Sequence, residues 1–287
     1  MQMTDVCVRC VRDKHLSRVP ADAPEDKAAA YRARVNALLA SRGKRSAPEI
    51  VWQIENAYRE AFGSTRDFTE IKHYYNRKML GMEEAMWQEI RKTPDPVKRA
   101  MQYAVMGNFI DFSAQKDVEE STLDSLLLRS EEIALPADVM QAFRQALEKA
   151  SSLVYLTDNC GEIVTDKILI RALQAQYPRL AVTALVRGAP VANDATREDA
   201  EETGLCQVCT VAENGNGIAG TVPDRLSPEA CCCLQGADVI LSKGQGNYET
   251  LCGEGFPVFY LFMCKCAMFT QRFAVPLYTA VFTGEGI

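Results

Sequence analysis

The pattern of apolar and polar residues divides the chain into two halves. In the first half, apolar residues recur at helical spacing, and proline, acidic residues and glycine mark several helix ends. The segments that share this pattern are residues 24–42, 48–62, 68–93, 97–106, 122–128 and 136–151. The pattern therefore predicts an all-helical N-terminal region that extends to about residue 150.

In the second half, short apolar runs alternate with helical patterns. The runs typical of strands are residues 153–156, 180–186, 207–211, 239–242 and 257–262. Helical patterns separate several of them, at residues 163–176, 194–203 and 227–235. Strands that alternate with helices favour right-handed crossovers and a mostly parallel sheet covered on both faces. We therefore predict a three-layer, Rossmann-like α/β domain over residues 151–287 and a helical region over residues 1–150.

Composition narrows the functional classes. The 287 residues are 47% hydrophobic, enough for a large core, and the net charge of -6 argues against a nucleic-acid partner. No apolar run has the length of a membrane span, and the N-terminus lacks the apolar core of a signal peptide. We expect a cytoplasmic protein without a membrane partner, in which most of the 11 cysteines are reduced thiols.

Three polar clusters each follow a predicted strand. The first contains Asp158, Asn159 and Glu162, the second spans residues 187–194, and the third spans residues 243–249. In a parallel sheet the carboxyl ends of the strands meet at one edge, where α/β proteins bind their ligands. We therefore expect the three clusters to lie close together.

The residue types in these clusters suit a hard divalent cation beside a phosphate. Carboxylate and amide oxygens select Mg²⁺ or Mn²⁺, although Co²⁺ and Ni²⁺ fit the same ligands. Lys243 and the backbone N–H groups of the glycine-rich turns could hold anionic oxygens. The two histidines, His15 and His73, are far from the clusters in sequence, which argues against a His-rich zinc centre.

Each cluster also has a purely structural interpretation. Asp158-Asn159 and Asn193-Asp194 are typical of helix caps and turns, and the glycines after Lys243 could form a simple loop. Residues 215–220 spell the dinucleotide fingerprint GxGxxG, but Pro223 follows where that fingerprint requires a helix. We therefore reject the fingerprint, and a nicotinamide enzyme is the weakest of the functional candidates.

The order of the motifs resembles a known family. The motifs DNxGE at Asp158, RGxPxxND at Arg187 and KGxGNYE at Lys243 are similar to those of the metal-dependent damage-control phosphatases, also called domain of unknown function 89. Residues 72–76 resemble the KxxxN element of that family, and residues 107–112 resemble its GNxIDF element. Cys7, Cys10 and Cys266 resemble the cysteines of its prokaryotic subgroup.

The resemblance implies a role for individual residues. Asp158, Asn159 and Asp194 would be catalytic and would hold the cation. The residues expected to contact the substrate are Lys243, Asn247, Tyr248, Glu162, Asn108, Asp111 and Lys265. The implied reaction is hydrolysis of a small phosphomonoester, such as a sugar phosphate or a damaged phosphometabolite. Whether Asp158 acts as a nucleophile or only as a ligand stays open.

Two other functional classes remain. The resemblance also implies a carboxyl methyltransferase, an activity proposed for members of the same family. That reaction would need a site for S-adenosylmethionine, and no glycine-rich loop in the sequence suits one. The chain could also be a non-catalytic module that binds a metal or metabolite. In that module Cys7 and Cys10, joined by Cys264 or Cys266, could bind zinc or respond to redox conditions, or could be plain thiols.

Overall fold

The computed structural model describes residues 1–63, 66–108 and 130–287. Its helices are α1 Asp5–Leu16, α2 Glu25–Ala40, α3 Ala47–Phe62, α4 Thr69–Ile90, α5 Pro96–Gly107, α6 Ala137–Lys149, α7 Glu162–Gln176, α8 Arg197–Glu202, α9 Pro228–Gln235, α10 Gln245–Leu251 and α11 Ala267–Phe273. Its strands are β1 Ser152–Leu156, β2 Ala181–Val186, β3 Thr210–Glu213, β4 Val239–Lys243, β5 Val258–Met263 and β6 Ala280–Glu285. The predicted helix over residues 122–128 lies outside the described residues.

The six strands form one sheet in the order β3-β2-β1-β4-β5-β6. The strands β1 to β5 pair in parallel, and β6 pairs with β5 in the antiparallel direction. The chain adds β2 and β3 on one side of β1 and then crosses to add β4 and β5 on the other side. The predicted mostly parallel α/β fold is confirmed, and its strand order reverses between β1 and β4.

Helices cover both faces of the sheet, which explains the continuous apolar runs of the strands. Leu153 and Tyr155 of β1 belong to a core that also includes apolar residues of α4, α5, α6 and α7. Val154 and Leu156 point to the other face, where residues of α9, α10 and α11 form a second core. The helices α1, α2 and α3 share a third, smaller core around Tyr31 and Ile54.

Several predicted boundaries differ from the structure. Residues 205–207 form a short 3-10 helix, so β3 begins at Thr210 rather than at residue 207. The predicted helix at 194–203 begins only at Arg197, because Asp194 pairs with Asn159 in an isolated β-bridge. The helices α1, α10 and α11 and the edge strand β6 were not predicted, since each is short or lacks a clear apolar period.

The register of the sheet positions the site. Leu156, the last residue of β1, pairs with Leu185 of β2 and with Ser242 of β4. The residues that follow Leu156 therefore lie between the strand ends that carry Arg187 and Lys243. Among the described helices, none is long and apolar enough to cross a membrane.

Candidate functional site

Asp158 and Asn159 lie in a tight turn between β1 and α7. The turn closes at Gly161, whose φ of 67° is easily adopted only by glycine. The backbone N–H of Gly161 donates to Oδ1 of Asn76, a buried side chain of α4, at 2.7 Å. The helical region thereby holds the turn from outside, and Asn76 belongs to the KxxxN element noted in the sequence.

The loop after β2 folds back onto this turn. Asn159 and Asp194 form an isolated antiparallel β-bridge. The N–H of Cys160 donates to the carbonyl of Asn193, and the N–H of Ala195 donates to the carbonyl of Asp158, both at 2.8 Å. The structure thus brings the predicted trio of Asp158, Asn159 and Asp194 together.

The Asp158 carboxylate is held on one side only. Its Oδ2 accepts hydrogen bonds from Nδ2 of Asn108 at 2.9 Å and from Nδ2 of Asn159 at 2.7 Å. A Cβ on Gly244 would lie 2.1 Å from Cγ of Asp158, so only glycine at that position admits the carboxylate. The side chain of Asp158 keeps 13% of its exposure, which leaves it within reach of a ligand.

Electrostatics make Asp158 an unusual carboxylate. Burial raises its pKa to about 8, and the nearby carboxylates of Glu162 and Asp194 act in the same direction. The cations of Lys265 and Arg187 lower that pKa but do not compensate. Positive charge is therefore in short supply around Asp158, which favours a cationic ligand.

Glu162 and Lys243 lie beneath the turn rather than on its surface. Glu162 is fully buried and accepts from Asn108 and Asn159 through Oε2, each at 2.9 Å. The Lys243 ammonium donates to Oε1 of Glu162 at 2.7 Å, to Oδ1 of Asp166 at 2.7 Å and to the carbonyl of Ala104 at 2.9 Å. Direct substrate contacts by Glu162 and Lys243 stay predictions; the structure shows them positioning the side chains around Asp158.

Arg187 is the residue that sequence reasoning missed. It follows β2 directly and is 2% exposed, yet it lies among the predicted site residues. Its Nε donates to Oδ2 of Asp194 at 2.7 Å, and its Nη1 donates to Oδ1 of Asn247 at 3.1 Å. A charged residue at the end of an apolar strand, seven positions before a predicted ligand, was the available signal.

Three other predicted residues differ in their surroundings. Asn247 is buried in the site, where its Nδ2 donates to the carbonyl of Thr157 at 3.0 Å. Tyr248 packs on the other face of the sheet among aromatic rings, and its hydroxyl accepts from Nε of Arg272 at 2.8 Å. Lys265 follows β5, is partly exposed and acts electrostatically on Asp158. Asp111 lies outside the described residues.

Comparison with known proteins decides the family. A family model described as the damage-control phosphatase ARMT1-like domain matches residues 3–281. This chain belongs to that family.

Two similar proteins and one solved structure agree with this membership. A damage-control phosphatase of Archaeoglobus fulgidus is 33% identical over 239 residues, which are 81% of this chain and 76% of the relative. Damage-control phosphatase PH1575 of Pyrococcus horikoshii is 31% identical over 202 residues, 65% of this chain and 67% of that protein. The crystal structure of PH1575, a DUF89 family protein, has a TM-score of 0.77 and 25% identity over 99% of both chains. The relatives support a phosphatase-type enzyme.

The three marker cysteines of this family member are not gathered in one group. Cys7 and Cys266 are half-buried against the same core, whereas Cys10 is exposed. Among the described residues, no three His, Cys, Asp or Glu side chains are arranged to hold a metal ion. A zinc or redox role for the cysteines stays a prediction, and the candidate cation site consists of two carboxylates and an amide.

A surface cavity that does not include Asp158 is lined by residues of α4, α7 and α8 in this family member. It has a volume of about 330 Å³ and is lined by Glu83, Lys167, Arg171 and Glu202, among others. Its charges are already paired, since Lys167 contacts Glu83 at 2.7 Å and Arg171 contacts Glu83 at 3.2 Å. The candidate site is therefore defined by the side chains around Asp158 and not by this cavity.

Proposed function

We propose that this protein is a divalent-cation-dependent phosphatase that removes phosphate from small phosphorylated metabolites, such as sugar phosphates or damaged phosphometabolites. The observation that carries the proposal is the contact between the Asp158-Asn159 turn and Asp194 at the point where the strand order reverses. Family membership supports the phosphatase chemistry, and the oxygen-rich site supports the dependence on a cation.

The donor set fits a hard divalent cation. Within the described residues Oδ1 of Asp158 accepts no hydrogen bond, so it is available as a ligand. Arg187 and Lys243 are the buried cations that contact the carboxylates of Asp158, Asp194, Glu162 and Asp166. Four carboxylates against two buried cations leave an excess of negative charge that Mg²⁺ or Mn²⁺ would offset. Asp158, Asn159 and Asp194 would hold that ion.

A bound cation would polarise the phosphoryl oxygens and offset their charge. The protein supplies orientation and charge around it. Asn108 and Asn159 fix Oδ2 of Asp158, so that Oδ1 faces the ligand. Lys265, the partly exposed cation near Asp158, can approach an anionic phosphoryl group from the open side.

The direct test is phosphate release from an aryl phosphate and a panel of sugar phosphates. Chelator-stripped protein receives Mg²⁺, Mn²⁺, Co²⁺ or Ni²⁺ in turn, beside the variants Asp194→Asn and Asp224→Asn. Asp224 is an exposed carboxylate of the same α/β half and serves as the matched control. We expect metal-dependent turnover that is lost in Asp194→Asn and kept in Asp224→Asn.

Two outcomes would contradict the proposal. Turnover that is unchanged by the chelator or by Asp194→Asn would remove the cation from the mechanism. Binding of a sugar phosphate by folded, metal-loaded protein without any turnover would favour a non-catalytic binding module.

A further inference from the structure

The guanidinium of Arg187 is fixed on two of its three nitrogens. Nε donates to Oδ2 of Asp194 at 2.7 Å, and Nη1 donates to the carbonyl of Gly220 and to Oδ1 of Asn247, both at 3.1 Å. Asn247 is itself held, because its Nδ2 donates to the carbonyls of Thr157 and Lys243. The orientation of the guanidinium plane is therefore set by the fold before any ligand binds.

The third nitrogen has no hydrogen-bond partner among the described residues. Nη2 of Arg187 is buried and has no hydrogen-bond acceptor in the part of the chain that the structure describes. Buried donors in native proteins are almost always paired, so an unpaired one calls for a physical explanation. Leaving a charged donor unpaired costs more, because a guanidinium otherwise forms the stronger, charge-assisted class of hydrogen bond.

The position of Nη2 indicates what would complete it. It lies 3.7 Å from Oδ1 of Asp158, the carboxylate oxygen that we propose as a cation ligand. That distance is beyond a hydrogen bond, yet it places both atoms at the same side of the site. An anionic oxygen bound beside Oδ1 of Asp158 would therefore come within reach of Nη2.

We propose that Arg187 is a phosphoryl-binding residue, whose Nη2 donates to an oxygen of the substrate phosphate while its Nε holds Asp194. This inference rests on the proposed phosphatase function and adds a substrate contact to it. A guanidinium suits both tasks, because its planar fork presents separate edges to separate oxygens. Lysine offers one rotatable ammonium and cannot hold Asp194 and a phosphate in this fixed arrangement.

The test compares two buried arginines. Arg99 is 6% exposed and, like Arg187, donates from Nε to a carboxylate at 2.7 Å, but its partner is Glu89 in the helical region. The variants Arg187→Lys and Arg99→Lys are loaded with Mn²⁺ and titrated calorimetrically with inorganic phosphate. Separate titrations measure Mn²⁺ affinity, and thermal unfolding checks the fold of each variant.

We expect Arg187→Lys to bind phosphate roughly 10- to 100-fold more weakly, the range expected for one lost charge-assisted hydrogen bond. Its Mn²⁺ affinity should stay within about threefold of the wild type, because the lysine ammonium keeps a positive charge that can still pair with Asp194 and all three proposed cation ligands remain. Arg99→Lys should keep the wild-type affinity for both. Equal phosphate affinity in the two variants would overturn the proposal, as would a joint loss of Mn²⁺ and phosphate binding in Arg187→Lys.

A measurement on the wild type keeps the proposal testable if Arg187→Lys does not fold. In a crystal structure with Mn²⁺ and phosphate, Nη2 should lie about 2.7–3.2 Å from a phosphate oxygen. A bound phosphate that leaves Nη2 without an oxygen partner would overturn the inference while the phosphatase function stands. Failure of the function itself shows differently, as wild-type protein that releases no phosphate from any substrate.

Discussion

Two buried charge clusters lie side by side beneath the strand ends, and their cations differ in how fully they are hydrogen-bonded. In the Lys243 cluster, formed by Lys243, Glu162, Asp166 and Tyr155, the ammonium has three acceptors and Tyr155 donates to Asp166 at 2.6 Å, although Oδ2 of Asp166 accepts no hydrogen bond from the described residues. In the Arg187 cluster, formed by Arg187, Asp158 and Asp194, Nη2 has no hydrogen-bond acceptor among those residues, and burial raises the pKa of Asp158 to about 8.

This difference distinguishes a structural role for the Lys243 cluster from a ligand-binding role for the Arg187 cluster. Although burial lowers the pKa of Lys243, the carboxylates of Asp166 and Glu162 raise it above its usual value, so the ammonium of this cluster stays charged. Each cluster has one cation for two carboxylates. Within the described residues, the cation of the Arg187 cluster keeps one donor that a phosphate oxygen would accept, and its carboxylates, unlike the fully buried Glu162 and Asp166, keep some exposure to a bound cation. The two clusters are linked by Glu162, because its Oε2 accepts hydrogen bonds from Asn108 and Asn159, the two amides that hold Asp158.

The largest expected effect comes from removing the cation of the Lys243 cluster. Lys243→Met leaves Glu162 and Asp166 buried without their cation and should lower the free energy of unfolding by about 3–5 kcal/mol. The matched control is Lys167→Met: Lys167 is also buried and bound to a carboxylate at 2.7 Å, but Glu83 keeps Arg171 as a second partner. Urea unfolding should show the smaller loss for Lys167→Met, and equal losses would refute the special role of the Lys243 cluster.

His15, a buried residue of α1, predicts a pH-dependent contribution to stability from the helical region. Burial lowers its pKa from 6.5 to about 4, although Glu55 acts in the opposite direction. The unfolded chain therefore binds a proton at His15 that the folded chain resists, and the contribution of His15 to the free energy of unfolding should fall as the pH drops from about 6.5 to about 4. The loss should reach about 3 kcal/mol at the acid end.

The measurement for His15 is urea unfolding across this pH range, with His15→Asn as the comparison. Asn can keep a hydrogen-bond acceptor close to Arg18 but does not titrate. As the pH drops from 6.5 to 4, the free energy of unfolding should decrease less in the variant than in the wild type. An unchanged dependence on pH would show that His15 is not the group responsible for the acid sensitivity.

A smaller effect should separate the two carboxylate partners of Lys243. Glu162 and Asp166 are both fully buried, and each accepts from Lys243 at 2.7 Å, but only Glu162 contacts the amides of Asn108 and Asn159. Glu162→Gln should weaken metal affinity or activity by about 10–100-fold, the usual effect of disturbing the groups that orient metal ligands. Asp166→Asn should leave both nearly unchanged. Isothermal titration with Mn²⁺ and initial rates test the pair, and parallel losses would reduce both residues to a structural role.

The sequence was sufficient to predict the elements that depend on local pattern. The strand ends, and with them the meeting of Asp158, Asn159 and Asp194, follow from parallel-sheet geometry. The contacts of Arg187 could not be predicted, because Gly220 and Asn247 lie 33 and 60 residues away along the chain. Asn247 and Tyr248 were placed together in the site, but consecutive helical residues point in different directions, and Tyr248 joins the opposite core.

The smallest expected effect concerns the loop that carries Asp194. Ala192 has a φ of 44°, a left-handed conformation that costs a residue with a Cβ about 1–2 kcal/mol. Ala192→Gly relieves this cost but adds freedom to the unfolded chain, so the free energy of unfolding should change by less than about 1 kcal/mol. The control is Ala274→Gly, which has a similar φ of 52° at the end of α11. If Arg187 anchors Asp194, as its 2.7 Å hydrogen bond indicates, both variants should keep Mn²⁺ affinity within about twofold. A loss confined to Ala192→Gly would show instead that the strained loop, and not Arg187, holds Asp194 in place.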